Sequence, residues 1–160
     1  MQHEGAILKN HYSNMAFMGL WEVIKNLGTI FENLKNCKSD IISFQPDAVV
    51  LIDYAGFNLK IAKFCKEKGI KVIYYISPKV WAWNTKRALK IKALVDHLLV
   101  IFPFEVDFFA KFAYKVDYVG NPLMDEIEAF VPNKNFNQNH KLSDKPIIAI
   151  LAHRKWSFIW

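Results

Sequence analysis

Apolar residues recur at helical spacing between positions 20 and 44, at Leu20, Val23, Ile24, Leu27, Ile30, Phe31, Leu34, Cys37, Ile41 and Ile42. The positions between them are mostly Glu, Lys, Asn, Thr and Ser, so the spacing predicts one long amphipathic helix. Gly28 is a weak point where this helix can bend, since glycine costs about 1 kcal/mol relative to alanine. After Pro46-Asp47 the period changes, and Ala48-Val49-Val50-Leu51-Ile52 reads as a short buried strand. A second helix is expected over 58–68, with Asn58 as its N-cap and Gly69 as its stop. Strands over 70–76, 97–101 and 116–119 then alternate with helices over 84–95 and 104–112. Near-continuous apolar strands alternating with helices predict an α/β fold, a Rossmann-like parallel sheet with helices on both faces and right-handed crossovers. From Gly120-Asn121-Pro122 the pattern breaks. The expected division is a Rossmann-like domain over 1–130, a polar linker over 131–145, and the first strand of a further domain over 146–160 with an irregular tail. With no strand before Leu20 and a single strand after the linker, the chain is expected to be truncated at both ends.

Composition narrows the classes. At 160 residues and 52% hydrophobic content the chain can fill one ordinary core, and 15% aromatic residues exclude a disordered tail. The net charge of +6 is carried almost wholly by lysine, with Arg87 and Arg154 the only arginines. Nucleic-acid readers lean on arginine for bidentate contacts, so no nucleic-acid partner is expected; an anionic membrane surface or a phosphorylated ligand suits the charge better. Cys37 and Cys65 lie far apart without a Cys-x-x-Cys pattern, as two buried thiols in a reduced compartment would. No apolar run approaches the roughly 20 residues that span a bilayer, and Met-Gln-His-Glu-Gly is no secretory signal. A cytosolic protein, or one held only at a membrane surface, is expected.

The stretch Ile73-Tyr74-Tyr75-Ile76-Ser77-Pro78-Lys79-Val80-Trp81-Ala82-Trp83-Asn84-Thr85-Lys86-Arg87 is the most distinctive. A strand opens into Ser-Pro, two tryptophans and a basic segment without an acid from Lys79 to Lys92, at the sheet end where open α/β folds bind ligands. Lys79, Lys86, Arg87, Lys90 and Lys92 beside Trp81 and Trp83 suit an anionic, partly apolar ligand, and Ser77 opens the loop that would bind it, although lysines on a helix are usually just solvated and tryptophans usually core. Asp53 follows a buried strand, where partial desolvation can tune a carboxylate as a general base. Bracing the next helix is an equally good account of it from the residues alone. Glu22 and the Asp125-Glu126 pair read as first-turn acids that favour the helix dipole by roughly 0.3–1 kcal/mol. Glu105 in Phe102-Pro103-Phe104-Glu105 reads the same way. No phosphate loop, His-Glu-x-x-His or Gly-x-Ser-x-Gly motif is present, and the five histidines lack ligand spacing, so no metal is assigned. The apolar stripe at Trp21, Val23, Ile24, Leu27, Ile30 and Phe31 is core by default; with lysines beside it, it also suits a lipid interface.

Five strings in order then resemble one family: Met15-Ala16-Phe17-Met18-Gly19-Leu20-Trp21-Glu22-Val23, Leu51-Ile52-Asp53-Tyr54-Ala55-Gly56-Phe57-Asn58, Tyr75-Ile76-Ser77-Pro78-Lys79-Val80-Trp81-Ala82-Trp83, Phe102-Pro103-Phe104-Glu105 and Val119-Gly120-Asn121-Pro122-Leu123. Together they resemble the bacterial lipid-A-disaccharide synthases, over residues 2–151. The resemblance implies the amino-terminal, acceptor-side half of a two-domain glycosyltransferase of GT-B type. Such an enzyme transfers 2,3-diacylglucosamine from its UDP donor to 2,3-diacylglucosamine 1-phosphate, without metal or other cofactor. It also implies a peripheral position on the inner face of the bacterial inner membrane. By the same resemblance Asp53 matches an essential aspartate and becomes the expected general base. Asn121 joins the substrate-binding set, and the stripe from Trp21 to Phe31 becomes a membrane-facing patch. The chain departs from the family at both ends: it lacks the opening Gly-Glu-Ala-Ser-Gly-Asp-like turn, and Leu151-Ala152-His153-Arg154-Lys155 replaces a turn with glycine before serine and arginine. This fragment is expected to be inactive alone. A non-catalytic lipid-binding module and another GT-B or nucleotide-sugar enzyme are the competing readings.

Overall fold

A computed structural model describes residues 5, 7–9, 27–83, 85–140, 142 and 148. The chain divides into two compact units, residues 1–124 and 125–160. In the first, α1 (Leu27–Phe44) leads into β1 (Ala48–Ile52), α2 (Ala55–Glu67), β2 (Lys71–Tyr75), the short α3 (Val80–Trp83), α4 (Arg87–Leu94), β3 (His97–Val100), α5 (Pro103–Ala110) and β4 (Asp117–Tyr118). The four strands form one parallel sheet in the order β1-β2-β3-β4, with Leu51 opposite Tyr74, Tyr74 opposite Leu98 and Val100 opposite Tyr118. The fold is thus α/β, a parallel sheet flanked by helices, as the alternation predicts.

Side-chain alternation along each strand selects the core. Leu51 of β1, Val72 and Tyr74 of β2, and Leu98 and Val100 of β3 are buried. Against them the cluster adds Phe57, Ile61, Ala62 and Cys65 of α2, Ala88 and Ile91 of α4, and Phe109 of α5. Burying each larger side chain is worth about 1.5–3 kcal/mol. The alternate positions Val50 and Ile52 are exposed among the described residues. α1 packs on α2 and adds Leu34 to the core, with Ile30, Cys37 and Ile41 half-buried at its edge.

The strands fall where the apolar runs put them, but α2 starts three residues earlier than expected. Asn58 is not its N-cap; it lies inside the first turn, and Tyr54 caps the helix in a left-handed conformation (φ 42, ψ 56). The Gly69 stop is as expected. At φ +72 it closes a Schellman motif, with Ile70 N–H donating to Cys65 O (2.9 Å) and Gly69 N–H to Lys66 O (3.2 Å). The long helix is described from Leu27 onward, and its predicted part over 20–26 lies outside the described residues. Cys65 is buried, Cys37 half-buried, and both are free, with burial raising both thiol pKa values.

The helix α6 (Pro122–Ala129) crosses from the first unit into the second, where α7 (Phe136–Asn139) follows. Neither buries a residue. Of the strand expected over 146–151 only Ile148, exposed, is described. No helix among the described residues is long and apolar enough to cross a membrane.

Candidate functional site

In a parallel sheet all carboxyl ends emerge on one edge, so the topology alone gathers the segments after β1, β2, β3 and β4. Two of those ends carry backbone that L-residues seldom adopt: Asp53 and Tyr54 (φ 44 and 42) after β1, and Ile76 (φ 64) after β2. For a β-branched residue such as Ile76 this is a genuine strain, and strain of this kind persists only where surrounding contacts impose it.

For Asp53 the contacts are explicit. Its N–H donates to Tyr75 O at 3.0 Å, continuing the ladder one step past β1. Its own carbonyl accepts from the Asn58 side-chain amide at 2.7 Å and from the Tyr74 hydroxyl. The same Asn58 amide also donates to Ile52 O at 3.0 Å. The main chain of Asp53 is therefore held on three sides, while the residue is exposed and its carboxylate stands at the sheet edge. Burial, with the Asp53 charge second, raises the Tyr74 pKa well out of the physiological range, so Tyr74 serves as a donor and not as an acid.

The segment after β2 has a buried root and an exposed tip. Ser77 and Pro78 are buried, and the Ser77 hydroxyl donates to Pro78 O at 3.1 Å; Lys79 is exposed. Trp81 is half-buried, with its ring edge-on to Phe104 at 5.0 Å between centroids. Trp83 lies in α3, and its side chain falls outside the described part of the structure. Lys86 is exposed and Arg87 half-buried at the start of α4, whose first turn holds no acid. Basic groups at a helix N-terminus oppose the dipole by roughly 0.3–1 kcal/mol each, an opposition that a bound anion relieves.

After β3 lies a group whose burial gave no sign in the sequence. Glu105 is 1% exposed. One carboxylate oxygen accepts the Phe102 N–H at 3.1 Å, the reaching-back half of a capping box, and phenylalanine has no oxygen to supply the other half. Desolvation raises the Glu105 pKa, against backbone N–H groups of Phe102 and Ile101 that favour the carboxylate. The Trp81 indole N–H is buried and meets no hydrogen-bond criterion among the described residues, but it lies toward Glu105 and favours the carboxylate more weakly than the backbone groups do.

Asn121, after β4, is used locally. Its Oδ1 accepts the Leu123 N–H at 3.1 Å and so N-caps α6. At about 4.8 Å per strand, it stands about 14 Å along the edge from Asp53, whereas the β2 segment is the immediate neighbour. The edge thus brings Asp53 beside Ser77 and sets Asn121 apart.

The lipid-facing stripe is only partly described. Trp21, Val23 and Ile24 lie outside the described residues. Leu27 and Phe31 are exposed, while Ile30 packs against the core. Among the described residues three hollows border α1; one of about 470 Å³ is lined by Asp40, Ile41, Phe44 and Pro46, and one of about 290 Å³ by Asn33, Cys37 and Phe57. The third lies between α1 and α2.

Comparison with known proteins agrees with this architecture. A family model described as Lipid-A-disaccharide synthetase matches residues 1–157. The lipid-A-disaccharide synthase of Geobacter metallireducens is 48% identical over 115 residues, which cover 72% of this chain and 30% of that protein. That of Nitrosococcus oceani is 40% identical over 127 residues, 79% and 32%. That of Coxiella burnetii is 37% identical over 151 residues, 94% and 40%. The matched region is thus 30–40% of the length of these relatives. On this match and this parallel sheet, the chain belongs to the lipid-A-disaccharide synthetase family.

Proposed function

We propose that the chain forms the acceptor-side part of an inverting glycosyltransferase. It would move 2,3-diacylglucosamine from UDP to 2,3-diacylglucosamine 1-phosphate, giving a β-1,6-linked disaccharide phosphate and UDP. The observation that carries the reading is the hold on Asp53, whose backbone is fixed in the left-handed region at the end of β1 while its carboxylate stays accessible. In the proposed step the acceptor's 6-hydroxyl oxygen attacks the anomeric carbon of the donor and the bond to UDP breaks. UDP departs with the bonding pair, and the hydroxyl proton passes to Asp53. A fixed backbone reduces the orientational freedom the base must lose before it meets that proton.

The other candidates take supporting parts. Lys79, Lys86 and Arg87 attract the acceptor phosphate, Trp81 offers an apolar face to the acylated sugar, and Trp83 joins the substrate-binding set by its place in the sequence alone. Ser77 shapes the turn after β2, and Asn121 offers its amide nitrogen, since its oxygen caps α6. Leu27 and Phe31 are the exposed members of the patch that meets the lipid at the inner face of the bacterial inner membrane; Trp21, Val23 and Ile24 are assigned to it by the sequence alone, and Ile30, which packs against the core, is withdrawn from it. The step as written uses no metal or other cofactor.

The test is disaccharide formation from the UDP-diacylglucosamine donor and the monosaccharide phosphate. It is run on this chain and on this chain completed with the remaining length of the Geobacter metallireducens relative. The completed protein is expected to be active and the chain alone inactive, with Asp53→Asn slowing the completed protein about 100- to 10,000-fold. A wild-type rate in Asp53→Asn would remove the general-base role. A completed protein that folds and binds the acceptor lipid but transfers nothing would leave a lipid-binding module.

A further inference from the structure

The hollow between α1 and α2, about 470 Å³, is floored by the buried Leu34, edged by the exposed Phe31 and walled by Lys35, Lys38, Lys60 and Lys63. We infer that this groove receives the phosphate headgroups of an anionic phospholipid surface. The inference rests on the membrane-surface part of the proposed function and is independent of Asp53.

Four ammonium groups around one hollow repel one another, and little opposes them. Among the described residues Lys63 alone of the four has a carboxylate within 4 Å, Glu67 at 3.7 Å, and both side chains of that pair are largely exposed. Two of the heads rest on aromatic faces instead: Lys60 Nζ is 5.4 Å from the Phe31 ring centre and Lys38 Nζ 5.3 Å from that of Phe64. Those contacts lay the lysine stems along apolar surface and keep the charges at the groove mouth. Phe31 is 61% exposed, and Leu27, one turn earlier, 43%. An apolar ridge beside a basic groove fits an amphiphile whose phosphate sits above acyl chains. A free phosphate would have no use for the ridge. All four groups are lysines, point charges suited to a diffuse anionic surface and not to bidentate capture of one anion.

The test is flotation of the purified chain with phosphatidylcholine vesicles, with and without about 30 mol % phosphatidylglycerol, at low and high salt. Binding to the anionic vesicles alone, weakened by salt, is expected. Replacing Lys35, Lys38, Lys60 and Lys63 together by Gln should lower it by at least about tenfold, each lysine near such a surface contributing about fivefold. Circular dichroism and urea melting check that the variant folds, and Leu34, left intact, keeps the floor. Equal binding to neutral and anionic vesicles, or undiminished binding by the folded Gln variant, overturns the groove. If binding instead falls only with Leu27→Ser and Phe31→Ser, the apolar patch stands without it. Displacement of the chain by millimolar inorganic phosphate at constant ionic strength would also overturn it, marking a free-anion site. Loss of transfer in Asp53→Asn is a separate readout, so failure of the groove and failure of the catalytic reading are distinguishable.

Discussion

Asp53, Tyr54 and Ile76 hold left-handed backbone without glycine, at two neighbouring strand ends. For an ordinary L-residue that conformation costs about 1–2 kcal/mol, less for aspartate, whose short polar side chain tolerates it. Asn58 is the residue that offsets the cost at Asp53, through one amide serving two carbonyls. Asn58→Ala is therefore expected to destabilise the fold by about 1–3 kcal/mol, since it takes a donor from both carbonyls and leaves Asp53 O only the Tyr74 hydroxyl, and urea unfolding measures it. An unchanged midpoint would mean that solvent satisfies those carbonyls and that the hold on Asp53 is slack. The place of Asp53 was legible in the sequence because an apolar run ends there. Its conformation was not, since nothing in Asp-Tyr-Ala announces two consecutive left-handed residues, and Asn58 looked like a cap. Glu105 was legible as a first-turn acid, but its burial comes from tertiary packing that no local spacing encodes.

At the level of elements, the strands were easier to find than the helix starts, for a physical reason. β1 is an apolar run bounded by Asp47 and Asp53, and β3 opens an apolar run straight after Asp96-His97, whereas α2, α4 and α5 begin after Tyr54, Lys86 and Phe102, none of which makes a side-chain cap. Without Ser, Thr, Asp or Asn at the cap, the usual start signal is missing. The join between α2 and β2 depends instead on Asp96, at the turn between α4 and β3. Its carboxylate accepts from Lys66 Nζ at 2.5 Å and from Val72 N–H at 2.8 Å, and its own N–H donates to Val72 O at 2.9 Å. Lys66 first, then the Val72 N–H, lowers the Asp96 pKa. A depressed folded-state pKa gives stability that is present above the ordinary value near 3.8 and lost as pH falls through the folded one. Asp96→Asn should thus cost about 1–2 kcal/mol at neutral pH, with the difference from wild type vanishing in acid. Urea midpoints compared at neutral and acid pH decide it: a difference that stays constant with pH would assign the loss to packing and not to charge.

Across the first unit, stability is unequal in a way the sheet order dictates. β2 and β3 are each paired on both sides, and Val72, Tyr74, Leu98 and Val100 are fully buried, whereas both residues of β4 are exposed. Amide hydrogen exchange should therefore be slowest in β2 and β3 and faster in β4, since edge strands open at lower free energy than the core. Equal protection in Asp117 and Tyr118 would show that β4 is tied down more firmly than its two-residue ladder implies. The same order bears on how the chain is made. Among the described strands β2, β3 and β4 each pair with the strand before them in the sequence, so each of these three meets a surface already made as it leaves the ribosome. Synthesis from the amino end can lay the sheet down one strand at a time, each crossover closing before the next begins. A pause in translation once Val100 has cleared the ribosome would leave a three-stranded sheet with its core strand β2 already enclosed and β3 waiting as the next template.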